Sequence, residues 1–60
     1  MKDYTAVALA EGFEEGTEEQ RLEAWQHLVN TGLVWKLQGW FGRTADSLIR
    51  QGLIQPAKEK

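Results

Sequence analysis

The chain has 60 residues, no cysteine and a net charge of −2, and 42% of its residues are hydrophobic. This length allows one small domain, because a chain of this size buries only about 60% of its unfolded surface. The absence of cysteine excludes disulfides and thiolate chemistry. No apolar run approaches the roughly 20 residues that span a bilayer, and residues 1–4 lack a signal-peptide hydrophobic region. We therefore expect a cytoplasmic protein without membrane contact.

Glycines predict where the helices end. Three of them are spaced twenty residues apart, and each precedes a large apolar residue: Gly12, Gly32 and Gly52. Glycine adopts the positive φ of a left-handed helix cap without a Cβ clash, and the next apolar side chain folds back onto the last turn. In this arrangement Leu33 contacts Leu28, and Leu53 contacts Leu48.

Two helices are predicted before Gly32. The first spans about residues 4–11, with Asp3 as its N-cap. An acidic loop follows, and Thr17 opens the second helix because Thr17 and Gln20 have the spacing of a capping box. Apolar residues at i, i+3, i+6 and i+7 form the inner face of this second helix.

The third helix is expected to be short. It should end or kink between Gly39 and Gly42, because a glycine inside a helix costs about 1 kcal/mol. Thr44 is the expected N-cap of a fourth helix over residues 45–51. The pattern leaves open whether residues 33–51 form one bent helix or two.

Together these signals predict an all-α fold, a compact minidomain of three to four short helices with glycine C-caps. The single domain is expected to cover residues 1–55. Pro56 and the charged residues after it predict a flexible tail over residues 56–60.

No group of residues indicates catalysis or a bound metal or cofactor. Glu19, Glu23 and His27 share one helix face, but three ligands on a straight helix cannot converge on one ion, since the outer two lie about 12 Å apart. A helix-stabilising Glu23–His27 pair is the expected arrangement. With one histidine and no nucleophile beside it, we expect no enzyme activity, no cofactor and no metal.

Aromatic side chains provide the main candidate site. Six aromatics on so short a chain mostly serve the core, but three of them cannot all point inward from one short helix: Trp35, Trp40 and Phe41. An exposed tryptophan is typical of a protein interface. We therefore expect a partner-binding site centred on Trp40, Phe41 and Arg43, with Trp35 and Lys36 beside it.

The charge is unevenly distributed. Residues 1–30 carry seven acidic and two basic side chains, and residues 31–60 carry two acidic and five basic ones. This asymmetry permits a homodimer in which the acidic half of one copy meets the basic half of another. The alternative function is a small nucleic-acid-binding module that uses Lys36, Arg43 and Arg50, although the acidic half would repel phosphate.

Residues 24–54 resemble a group of short proteins encoded by tailed bacteriophages. The resemblance rests on a Thr-Gly-Leu-x-Trp-x-Leu-Gln-Gly core over residues 31–39, an aromatic-Gly-Arg-Thr-Ala segment over residues 41–45, and a Leu-Ile-x-x-Gly-Leu-Ile end over residues 48–54. It implies a phage origin and a helical fold, and it implies no activity. Small acidic phage proteins often bind and redirect another protein, so we expect an accessory protein that binds a host or phage protein in the host cytoplasm.

Overall fold

The computed structural model describes residues 1–57, which form three α-helices and one 3-10 turn. In chain order these are α1 (Asp3–Glu11), α2 (Glu18–Thr31), the 3-10 turn (Leu33–Lys36) and α3 (Gly39–Arg50). Residues 1–57 contain no strand, and the Cα radius of gyration is 10.4 Å. The predicted all-α minidomain is confirmed. Pro56 and Ala57 are exposed and non-helical, and the rest of the predicted tail lies outside the described residues.

The predicted left-handed glycines are confirmed, with φ values of 83°, 78° and 78° at Gly12, Gly32 and Gly52. α1 ends with the Phe13 N–H donating to the Ala8 carbonyl at 2.9 Å. α3 ends in the same way, with the Leu53 N–H donating to the Leu48 carbonyl at 3.0 Å. α2 differs at the next residue, because the chain after Gly32 enters the 3-10 turn directly.

The capping box at the start of α2 is also confirmed. The Gln20 N–H donates to Thr17 Oγ1 at 3.0 Å, and the Thr17 N–H donates to Gln20 Oε1 at 2.9 Å. The prediction for α1 was wrong, because the N-cap position is Lys2, which makes no side-chain capping bond. Asp3 is the first helical residue, and its Oδ1 lies 2.8 Å from His27 Nε2. His27 therefore pairs across the α1–α2 interface with Asp3, and the predicted Glu23–His27 pair is not formed.

The prediction for residues 33–51 was wrong in two respects. The expected third helix is a single 3-10 turn, and the chain bends immediately after it, where Leu37 and Gln38 adopt extended backbone angles. α3 then runs unbroken from Gly39 through Gly42, and Thr44 lies inside it as an ordinary helical residue. Residues 33–51 are thus a turn followed by one helix.

The core is built around α2. Its buried side chains face α1 on one side and the chain after Gly32 on the other. The core residues are Ala6, Leu9, Ala24, Trp25, Leu28, Val29, Val34, Phe41, Ala45 and Ile54. The three alanines among them are completely buried, and their small side chains leave room for neighbouring backbones to approach closely.

The segment after α3 is attached to α2 by one side chain. Gln26 Nε2 donates to the Gln55 carbonyl at 2.8 Å, and the Gln55 N–H donates to Gln26 Oε1 at 2.7 Å. The neighbouring Ile54 is only 3% exposed. The Gln26 amide therefore replaces a backbone partner and holds this segment beside the core.

In residues 1–57, no helix has the length and apolar character that a membrane crossing requires.

Candidate protein-binding surface

α3 has an inner and an outer face, and the two faces carry different residues. At about 100° per residue, Phe41 and Ala45 point to one side, and both are buried. The opposite side of the helix carries Gly39, Arg43 and Arg50. Trp40 lies between the two faces and is 37% exposed.

The placement of Phe41 corrects the predicted interface. Phe41 is only 4% exposed, and its ring centroid lies 5.8 Å from that of Trp25 and 4.1 Å from that of Trp40. Its position on α3 directs it towards α2, and it therefore contributes to the core. A binding site that needs this side chain at the surface is excluded.

Trp35 is the most exposed tryptophan, with 55% of its surface accessible. Its indole lies against α3 at Gly42, where an added Cβ would be 3.3 Å from Cε3 and 3.4 Å from Cζ3. A glycine at this position therefore lets the indole approach the helix backbone. Trp35 therefore presents a large aromatic surface to solvent, while its indole packs against α3.

Two cations are close to the tryptophans in the chain. The Arg43 side chain folds back along α3, with Nη1 3.4 Å from the position of a Cβ at Gly39. Lys36 is exposed on the 3-10 turn, next to Trp35 in the chain. Neither cation forms an ion pair with residues 1–57. Trp35 rests on Gly42, which points about 160° away from Trp40 around α3. The two indoles therefore flank Arg43 on either side of the helix. We call Trp35, Lys36, Trp40 and Arg43 the tryptophan face.

The row of cations considered for nucleic-acid binding is not continuous. Arg43 and Arg50 are two turns apart on α3, but Lys36 precedes the bend at residues 37–38. Asp46 lies between the two arginines, and its Oδ2 is 3.0 Å from Arg50 Nε. Arg50, one of the three side chains expected to contact phosphate, is therefore already paired with a carboxylate.

Residues 2–59 match a family model described as a domain of unknown function (DUF7417). The chain belongs to this family. The matched range includes all four residues of the tryptophan face and all three helix-ending glycines. No curated protein and no solved structure matches the chain significantly.

Sequence reasoning missed a second surface feature, an open groove of about 520 Å³ between α2 and the segment after α3. Its apolar lining comes from Leu22, Leu53 and Ile54. The residues come from distant parts of the chain, so no local motif marks the groove.

Within residues 1–57, no group of three or more histidine, aspartate or glutamate side chains is placed to hold a metal ion.

Proposed function

We propose that this chain is a small bacteriophage accessory protein without enzymatic activity, which binds a host or phage protein in the host cytoplasm through the tryptophan face. The observation that carries the proposal is Trp35, a large aromatic side chain 55% exposed on a folded domain. Tryptophan and arginine are the residues that most often dominate the binding energy of protein interfaces.

The way Trp35 is held favours a role in binding. An indole that rests on Gly42 has already lost part of its rotational freedom, so less entropy is lost when a partner covers it. Arg43 and Lys36 add positive charge to a chain that is otherwise acidic. The expected partner surface therefore has an apolar pocket with acidic groups around it.

The phage origin rests on the resemblance of residues 24–54 to phage proteins. The accessory role rests on the small size of the domain and on the absence of a recognisable catalytic group in its sequence.

The test is affinity capture from bacterial lysate, with and without nuclease, using the natural chain and a Trp35→Ala/Arg43→Ala variant. We expect one protein to be captured in both nuclease conditions by the natural chain and to be lost with the variant. The matched control is Lys2→Ala/Tyr4→Ala, which removes another exposed aromatic and a nearby cation, 5.9 Å from the ring centroid. This control should retain the captured protein.

Full capture by a folded Trp35→Ala/Arg43→Ala variant would refute the tryptophan face as the binding site. Capture that disappears after nuclease treatment would instead favour the second candidate, a nucleic-acid module. A salt-sensitive dimer seen by sedimentation, with no captured protein, would assign the surface to homodimer formation.

The nucleic-acid candidate keeps one supporting observation, which is that Arg43 and Arg50 share a face of α3. Because Arg50 is paired with Asp46, the three-cation site is expected to bind weakly. If three phosphates are neutralised, a plot of the logarithm of the binding constant against the logarithm of the salt concentration has a slope of about −3. If two are neutralised, the slope is about −2. Absence of measurable binding to single- and double-stranded oligonucleotides at low salt would exclude this candidate.

A further inference from the structure

The groove beside α2 combines an apolar lining with acidic side chains. Leu53 is 46% exposed and Ile54 is buried, while Leu22 is partly buried, so the groove offers apolar surface to solvent. Three exposed glutamates from the first half of α2 also line it: Glu18, Glu19 and Glu23. Its volume of about 520 Å³ lies within the about 300–1,000 Å³ range of ligand-binding pockets.

Stabilisation of α2 does not explain why all three positions carry a glutamate. Glu18 and Glu19 lie in the first turn of α2, where carboxylates stabilise the positive end of the helix. Glu23 lies beyond that turn and is one helical turn from Glu19, a spacing at which like charges destabilise a helix. None of the three glutamates forms an ion pair with another residue in the range 1–57. A cation bound between them would remove this repulsion.

The groove has a fixed wall. The two hydrogen bonds between the Gln26 side chain and the Gln55 backbone, at 2.8 and 2.7 Å, hold the segment containing Leu53 and Ile54 against α2. A binding surface that exists before the partner arrives loses less conformational entropy on binding.

We infer that this groove binds a short basic segment of a partner protein, in which lysines or arginines flank a large apolar side chain. The apolar side chain would lie against Leu22 and Leu53, and the cations would meet the glutamates. Binding of a second copy of this chain is the alternative that the experiment below distinguishes.

The inference is independent of the tryptophan face and is tested with a different probe. The probe is a short synthetic peptide in which lysines flank a central pair of leucines, and the comparison peptide has glutamates in place of the lysines. Binding is measured by fluorescence anisotropy and located by amide chemical shifts. We expect the lysine peptide to bind, with the largest shifts at Leu53, Ile54 and Glu23, and the glutamate peptide not to bind.

Two variants of equal charge separate a specific site from general attraction. Glu19→Gln/Glu23→Gln removes two charges from the groove, and Glu14→Gln/Glu15→Gln removes two from the loop before α2. We expect the first variant to weaken binding about tenfold and the second to change it less than about twofold, because opposed charges act mainly at close range in salt.

Equal losses in both variants, or shifts centred on Trp35, would overturn the inference. It would also be overturned if the lysine peptide failed to bind, or if the natural chain self-associated through Glu19 and Glu23. The capture experiment with Trp35→Ala/Arg43→Ala is unaffected by any of these outcomes, so the two proposals can fail separately.

Discussion

At the scale of single residues, the contact between Trp35 and Gly42 determines the shape of the candidate site. A glycine inside a helix is normally unfavourable, which is why the sequence predicted a break there. In the structure, the missing side chain makes room for the indole, with only 3.3 Å between Cε3 and the position of a Cβ. The lost helix propensity is thus offset by an aromatic contact that a local pattern does not reveal.

This contact can be tested with a double-mutant cycle. Alanine stabilises a helix interior by about 1 kcal/mol relative to glycine, but at Gly42 the new methyl group would press on the indole. We therefore expect Gly42→Ala to add less than about 0.5 kcal/mol to the free energy of unfolding in the natural chain. In a Trp35→Ala background, the same change should add nearly the full 1 kcal/mol. Urea unfolding of the four proteins measures both values, and identical gains in the two backgrounds would contradict the contact.

At the scale of helices, two threonines that look alike in sequence have different roles. Thr17 has Gln20 three residues later, and the two form a complete capping box. Thr44 has Ser47 at the corresponding position, and a serine side chain is too short to reach back to the N-cap backbone as glutamine does. α3 begins at Gly39, and its start has no side-chain capping bond.

Replacement of each threonine by alanine should therefore have different effects on stability. Thr17→Ala removes the N-cap oxygen and is expected to lower the free energy of unfolding by about 1 kcal/mol. Thr44→Ala replaces a β-branched residue inside a helix and should leave stability unchanged or raise it by up to about 0.5 kcal/mol. Thermal unfolding followed by circular dichroism measures both. A loss at Thr44 equal to that at Thr17 would contradict the different roles of the two threonines.

The helix ends and the capping box were predictable because they are local signals. Gly12, Gly32 and Gly52 mark three helix ends through their own backbone preference, and Thr17 marks a start through a residue three positions away. The contacts that fix the tertiary structure are not local: Gln26 and Gln55 are 29 residues apart, and Asp3 and His27 are 24 apart. Such pairs become neighbours only when the helices pack.

The candidate site shows the same division. Trp35 and Trp40 are exposed, as expected of at least one of the three neighbouring aromatics. The premise that all three share one helix was wrong, because Trp35 lies on the 3-10 turn and only Trp40 and Phe41 lie on α3. Which of the three faces inward depends on where the chain bends. Because the bend lies at residues 37–38 and not at Gly39 to Gly42, α3 includes Trp40 and Phe41, and its rotation directs Phe41 into the core.

At the scale of the whole molecule, the core is small and few of its side chains are large. Of the ten buried hydrophobic residues among residues 1–57, three are alanines, so a few aromatic and aliphatic side chains provide most of the buried area. At roughly 0.05–0.15 kcal/mol per residue, a domain of this length has a total stability of only a few kcal/mol. One large side chain therefore accounts for a considerable part of the folding free energy.

Phe41 and Phe13 allow this to be tested with the same substitution at two sites. Phe41 is 4% exposed and packs against Trp25, whereas Phe13 is 81% exposed. Phe41→Ala should cost about 3–5 kcal/mol and leave much of the protein unfolded at room temperature, while Phe13→Ala should cost less than about 0.5 kcal/mol. Urea titrations followed by circular dichroism measure the difference.

If both substitutions lowered the free energy of unfolding by the same small amount, Phe41 would be a surface residue and would belong to the predicted interface. The expected result has a consequence for binding experiments, since a Phe41→Ala variant would lose its partner by unfolding. A Trp35 substitution tests the proposed interface more directly, because more than half of that side chain is already in contact with water and its removal leaves the core intact.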